Sequence, residues 1–143
     1  MLSTIERAAH QVGAHLEHAA SELGITQAEA HVLAQLTRRG PTPIGTLHRD
    51  FGPKRSTLTN ILDRLEERRL VRREPNREDR RSFVVHLTAS GARTGTHVTA
   101  VLDELERAVQ AGVTARDLRG LEAVAKALDA AVGHSGAEDI GFA

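Results

Sequence analysis

Residues 56–91 read STLTNILDRLEERRLVRREPNREDRRSFVVHLTASG and hold two unlike patterns in succession. In the first, Leu58, Ile61, Leu62 and Leu65 fall at i, i+3, i+4 and i+7, which predicts a helix with an apolar stripe about 100° wide. In the second, LVRRE from Leu70 to Glu74 and FVVHL from Phe83 to Leu87 are short runs of β character, the latter alternating Phe83, Val85 and Leu87 against Val84 and His86. The stretch between them, Pro75 to Ser82, is too long for a tight two-residue turn and carries Arg77, Arg80 and Arg81. A helix is thus followed at once by a hairpin with a charged tip.

Upstream, TPIGTLHRDF begins with Thr42 placed as an N-cap and Pro43 at the first helical position, where a missing N–H costs nothing. Gly52 and Pro53 break that short helix, and Ser56 is placed to cap the next. Two short helices joined by a tight turn make a helix-turn-helix. Before it, Thr26 and Glu29 form the two halves of a capping box for a helix ending at RRGP, Arg38 to Pro41. The chain starts with Leu2, Ile5, Ala9, Val12, Leu16, Ala19 and Leu23 at alternating spacings of three and four, a narrow seam that Gly24 stops. Past Gly91, Val98, Leu102, Leu105 and Val109 form a further stripe. AGVTARD interrupts it, with Thr114 as a cap, and Leu118, Leu121, Ala125, Leu128 and Val132 resume it. The final GHSGAEDIGFA has no periodicity and is expected to be disordered.

Composition decides what can hold such a chain together. Apolar residues make up 40% but aromatic ones only 2%, so the core is built from Leu, Val, Ile and Ala, which favours helices. There is no Cys, hence no disulfide, thiolate metal site or thiol redox sensor, which fits the cytoplasm. No apolar run approaches the ~20 residues of a bilayer span, so no membrane association is expected. The net charge of zero conceals an asymmetry: from Arg38 to Arg81 there are 13 Lys/Arg and 7 Asp/Glu, a local +6, balanced by acidic flanks. Local charge of that kind suits phosphate contact, although charge alone fits solvated helix faces equally well.

Opposite the apolar stripe the helix carries Ser56, Asn60, Asp63, Arg64 and Glu67, with Thr57 and Thr59 on its shoulders and Lys54 and Arg55 just before it. Asn can bond adenine in the major groove, Ser and Thr can reach phosphates or base edges, and a helix N-terminus attracts phosphate. The candidate recognition set is therefore Lys54, Arg55, Ser56, Thr57, Thr59, Asn60 and Arg64. A hairpin after such a helix is a wing, whose tip arginines Arg77, Arg80 and Arg81 would lie over the adjacent minor groove. Glu78 and Asp79 would orient those guanidiniums by carboxylate pairing.

The segment Ser56–Gly91 resembles the recognition helix and wing of the MarR family of bacterial winged-helix regulators. It includes that family's wing signature, here Asp79, Arg81, Leu87 and Thr88. The resemblance implies an obligate homodimer with interlocking first and last helices, a minor-groove role for Arg81, and often a pocket for a small-molecule effector, aromatic or anionic. One departure is visible: the family usually has Gly where this chain has Arg69.

The expected fold is mainly α with a small β-hairpin: a winged helix-turn-helix lobe over 25–88, with dimerisation helices over 1–24 and 89–132 and a tail over 133–143. Leu2, Ile5, Val12, Leu16, Leu118, Leu121 and Leu128 are the candidate dimer interface, against the alternative of an intramolecular helical pack. The expected function is sequence-specific binding of double-stranded DNA by a homodimer, as a repressor released by a small organic ligand. Two alternatives stay open: a winged-helix protein-interaction module with weak DNA binding, and a metal-responsive regulator using His10, His15, His18 and His31. No Gly-rich phosphate loop, nucleophile elbow or paired carboxylate in a cleft is present, so neither catalysis nor a cofactor is expected.

Overall fold

The computed structural model describes residues 1–51 and 55–135 of the chain, in the order α1 (Leu2–Glu22), α2 (Gln27–Arg39), β1 (Thr42–Pro43), α3 (Ile44–Phe51), α4 (Arg55–Glu67), β2 (Val71–Pro75), β3 (Phe83–Leu87), α5 (Ala89–Gln110) and α6 (Ala115–Ser135). Two compact units result, Met1–Glu104 and a second beginning at Leu105.

Local sequence sets the helix ends. The α1 helix closes in a Schellman arrangement: Gly24 adopts φ 69°, its N–H donates to Ser21 O, and Ile25 N–H donates to Ala20 O. The capping box of α2 forms in full, Glu29 N–H donating to Thr26 Oγ1 at 3.1 Å and Thr26 N–H to Glu29 Oε2 at 2.9 Å.

Thr42 and Pro43 differ from the sequence reading. They form a third strand rather than the start of a helix, Thr42 facing Val85 and Pro43 facing Val84, so the sheet runs β1-β3-β2 and is antiparallel throughout. The reason is tertiary. Thr42 is buried and its hydroxyl donates to Gly40 O at 2.9 Å, while Pro43, which has no N–H to offer a ladder, is tolerated because β1 is an edge.

The first unit packs α2, α3 and α4 around Leu33, Leu36, Leu47, Leu62 and Leu65, all essentially inaccessible, and the sheet closes the core with Val71 and Val85. Two glycines on α5 permit close approach. A Cβ at Gly91 would lie 1.8 Å from Leu70 O, and one at Gly95 would lie 2.1 Å from Thr37 Oγ1. A charge pair, Arg38 Nη2 to Asp103 Oδ1 at 2.7 Å, also joins α2 to α5.

The seam expected along α1 divides. Gly13, Leu16, Ala19 and Ala20 are buried, whereas Leu2 and Val12 are exposed. Leu16, placed in the candidate dimer interface from sequence, is fully covered within its own chain, in the core of the first unit. In the second unit, Leu118, Leu121, Leu128 and Val132 of α6 remain exposed. The helix continues through Gly133, His134 and Ser135, further than the tail predicted from 133 onward.

Candidate nucleic-acid interface

The α4 helix is seated by Leu58, Ile61, Leu62 and Leu65, the stripe expected from sequence, with exposures of 3, 7, 0 and 0%. Its C-terminus is a second Schellman motif: Arg69 N–H donates to Glu66 O and Leu70 N–H to Leu65 O, with Leu65 and Leu70 both in the core. Arg69 occupies the left-handed position at φ 57°. The turn thus has the shape that Gly would favour, adopted here by a residue with a Cβ.

On the outward side, Thr57, Thr59 and Asn60 are exposed. Lys54 lies outside the described residues, as do the side chains of Arg55 and Ser56. The helix begins at Arg55, so Ser56 lies within its first turn rather than at its cap.

The flanks of α4 are committed to ion pairs within the lobe. Arg64 Nε lies 3.1 Å from Oε1 of buried Glu29, and Arg68 Nη1 lies 3.8 Å from Glu29 Oε2 while also donating to Gly24 O at 2.6 Å. Arg64 is thereby tied back to α2, although it remains half-exposed. On the other flank, Arg73 of β2 donates to Asp63 Oδ1 at 2.7 Å and to Glu66 Oε2 at 2.5 Å. The hydrogen bond to Glu66 raises the Arg73 pKa above the ordinary arginine value, outweighing partial burial, and Asp63 adds to it. Sequence pattern missed Arg73 because its partners lie seven and ten residues away on another element.

The wing tip is shaped by side chain-to-backbone bonds. Asn76 Oδ1 accepts from Glu78 N–H at 3.1 Å, Asp79 Oδ1 accepts from Arg81 N–H at 3.1 Å, and Ser82 N–H donates to Asp79 O at 2.9 Å. The expected pairing of Glu78 and Asp79 with the guanidiniums does not occur: the Asp79 carboxylate bonds the backbone of the turn, a local bond that needs no ordering of a long side chain. Among the described residues no carboxylate pairs with Arg77, Arg80 or Arg81, all of which are exposed. At the wing base Glu74 pairs with Arg72 and with His86, the latter at 3.1 Å. Thr88 fastens the hairpin to the end of α4: its hydroxyl donates to Arg69 O at 2.6 Å and accepts from Gly91 N–H at 3.0 Å, which also caps α5.

A cleft of about 460 Å³ is lined by Glu17 of α1, Thr26, Gln27, Ala28 and His31 around the start of α2, Phe51 of α3, and Thr57 and Ile61 of α4. The His31 and Phe51 rings are tilted by 59° with centroids 6.4 Å apart. Burial lowers the His31 pKa. Elsewhere, His18 and Glu22 make an exposed pair at 3.8 Å. Among the described residues no group of three or more His, Asp or Glu side chains is placed to hold a metal ion, and no helix is long and apolar enough to cross a membrane.

A lobe in which α3 is followed by α4, and α4 runs directly into a hairpin fastened to its end, is a winged helix. Residues 25–83 match the model of the MarR family. Over 68 residues the chain is 35% identical to the HTH-type transcriptional repressor MdtR of Bacillus subtilis (strain 168), a match spanning 48% of this chain and 44% of that protein. The chain thus aligns with less than half the length of this curated relative. Among solved structures, MepR of S. aureus in its DNA-binding conformation superposes with a TM-score of 0.82 at 19% identity, over 92% of this chain and 98% of that one. A MarR variant of E. coli complexed with operator DNA superposes with a TM-score of 0.69 at 26% identity, over 89% of this chain and 92% of that one. Over residues 25–83, its winged-helix lobe, the chain is thus similar to the MarR family.

Proposed function

We propose that the protein is a cytoplasmic, homodimeric repressor that binds a pseudo-palindromic site in double-stranded DNA. The observation that carries this reading is a division of charge. Glu29, Asp63 and Glu66 are each paired inside the lobe, whereas the wing arginines Arg77, Arg80 and Arg81 are exposed without a carboxylate partner among the described residues. Unpaired guanidiniums at a hairpin tip are suited to phosphate and narrow-groove contact. On α4, exposed Asn60, with Thr57 and Thr59, supplies short polar side chains of the kind that reach base edges. The relative MdtR is named a repressor, and the MarR neighbour is in complex with operator DNA; both support the reading.

The cleft beside Thr57 is the place for an effector. Among the described residues its lining supplies two rings, His31 and Phe51, and one carboxylate, Glu17. Two rings of that kind are suited to an aromatic molecule.

Selection of bound sequences from random duplex DNA, followed by binding isotherms across a salt series, tests the proposal. Asn60→Ala is expected to lose ~1–3 kcal/mol on the selected site and to relax preference at one position of each half-site. Arg81→Ala is expected to weaken binding to selected and scrambled duplexes alike and to flatten the salt slope by ~0.9 for each phosphate no longer neutralised. If both variants match the wild type in affinity and slope, the proposal fails.

A further inference from the structure

Asp63 and Glu66 stand on α4 just beyond Asn60, on the helix that the proposed function aims at DNA. Two carboxylates there would repel phosphate if left alone. The wing removes them from play. Arg73, on β2, donates from Nε to Glu66 Oε2 at 2.9 Å and from Nη2 to Glu66 Oε2 at 2.5 Å and Asp63 Oδ1 at 2.7 Å, and its backbone N–H donates to Glu66 Oε1 at 3.3 Å. One guanidinium therefore spans two carboxylates three residues apart on the helix, and the backbone bond sets the height of β2 against it. The Arg73 side chain is only 25% exposed, less than Asp63 at 46% or Glu66 at 38%. Charge-assisted bonds of this kind, partly shielded from water, hold geometry better than an exposed pair. Lys could neutralise the site, but it has no second nitrogen to repeat the Nε bond to Glu66 and so would hold the geometry less firmly.

We infer that Arg73 is a positioning residue for DNA recognition: it masks two carboxylates of α4 and locks the wing to that helix as one body. The spacing between the side chains that face bases and the arginines of the wing tip is then fixed before DNA is met. The inference rests on the DNA-binding function proposed above.

The test compares wild type with Arg73→Ala, Arg73→Lys, Asp63→Asn/Glu66→Gln and the triple variant Asp63→Asn/Glu66→Gln/Arg73→Ala. Each is measured on the selected and a scrambled duplex across a salt series, with hydrogen exchange of the free protein in parallel. Arg73→Ala is expected to weaken the scrambled duplex by about threefold to tenfold, through carboxylates no longer masked, and the selected duplex by more, through loss of the lock. It should also speed exchange at residues 71–87 while 27–39 stay protected. The triple variant should regain the scrambled-duplex affinity, since the repulsion is gone, but not the preference for the selected site, since the lock is gone. Arg73→Lys should fall between Arg73→Ala and wild type in preference.

The inference is overturned if Arg73→Ala keeps the wild-type preference, or if the triple variant binds no better than Arg73→Ala. A salt slope shallower by ~0.9 in Arg73→Ala would also overturn it, because Arg73 would then be touching phosphate itself. Should Arg73→Ala fail to fold, the carboxamide pair alone decides: reduced preference with faster wing exchange supports the lock, and unchanged values refute it. Failure of the underlying function looks different, since the wild-type protein would then prefer no duplex at all.

Discussion

Arg69 holds a backbone conformation that L-residues with a Cβ adopt at a cost of about 1–2 kcal/mol, and it does so because the turn it makes places Leu70 in the core and gives the Leu70 carbonyl to Thr88 N–H. The strain is imposed by the turn into β2, not by the helix. Arg69→Gly is therefore expected to raise stability by ~0.5–1 kcal/mol, part of the relief being offset by the greater freedom of Gly in the unfolded chain. Chemical denaturation measures it, and a variant less stable than wild type would show that the Arg69 side chain contributes more than its backbone costs. Gly91 is the opposite case. A Cβ there would meet the same Leu70 carbonyl at 1.8 Å, so Gly91→Ala must push α5 off the end of the wing and is expected to cost upward of ~2 kcal/mol.

The α1 helix shows what periodicity can and cannot decide. Spacings of three and four locate the helix and its apolar positions, but they do not say which neighbour covers each one. Leu16 turns into the core of the first unit, while Leu2 and Val12 stay exposed. Helix caps at Thr26 and Gly24, the α4 stripe and both hairpin strands were legible because each depends on residues a few positions apart. The β1 strand and the Arg73 and Glu29 ion pairs were not, because each joins two different elements whose packing no local pattern sets. His31 is another such case, its environment being assembled from α1, α2, α3 and α4. Since burial lowers its folded pKa below the ordinary ~6.5, the unfolded chain binds the proton more readily in that window. The His31 contribution to stability is thus complete above ~6.5 and declines as pH falls below it toward the folded value. Melting temperatures measured from pH 7.5 to 5 should fall less steeply for His31→Gln than for wild type, and parallel curves would show that His31 does not govern that range.

The second unit exposes more apolar surface than a helix in water tolerates singly: Val109 at 53%, Leu121 at 63% and Val132 at 63%, with Leu118 and Leu128 at 37% each. Leu118, Leu121, Leu128 and Val132 follow one another at helical spacing along α6, and an exposed apolar face of that kind is suited to a partner. A second copy of the chain is the occupant proposed, because a two-fold arrangement pairs like faces with each other and gives two recognition helices to half-sites about 34 Å apart. Light scattering at micromolar concentration is then expected to report about twice the 15.5 kDa of the single chain. Leu121→Asp with Leu128→Asp should yield a monomer that keeps a folded first unit, since neither residue belongs to that unit's core. Leu16→Asp should instead unfold the first unit, because it places a charge where no water reaches. Operator affinity separates the two outcomes further. A folded monomer lacks the intramolecular second contact and should bind at least ~100-fold more weakly, with the preference of a single half-site retained. A wild-type chain that stays monomeric while binding a pseudo-palindrome tightly would show that the exposed face of α6 serves some other partner.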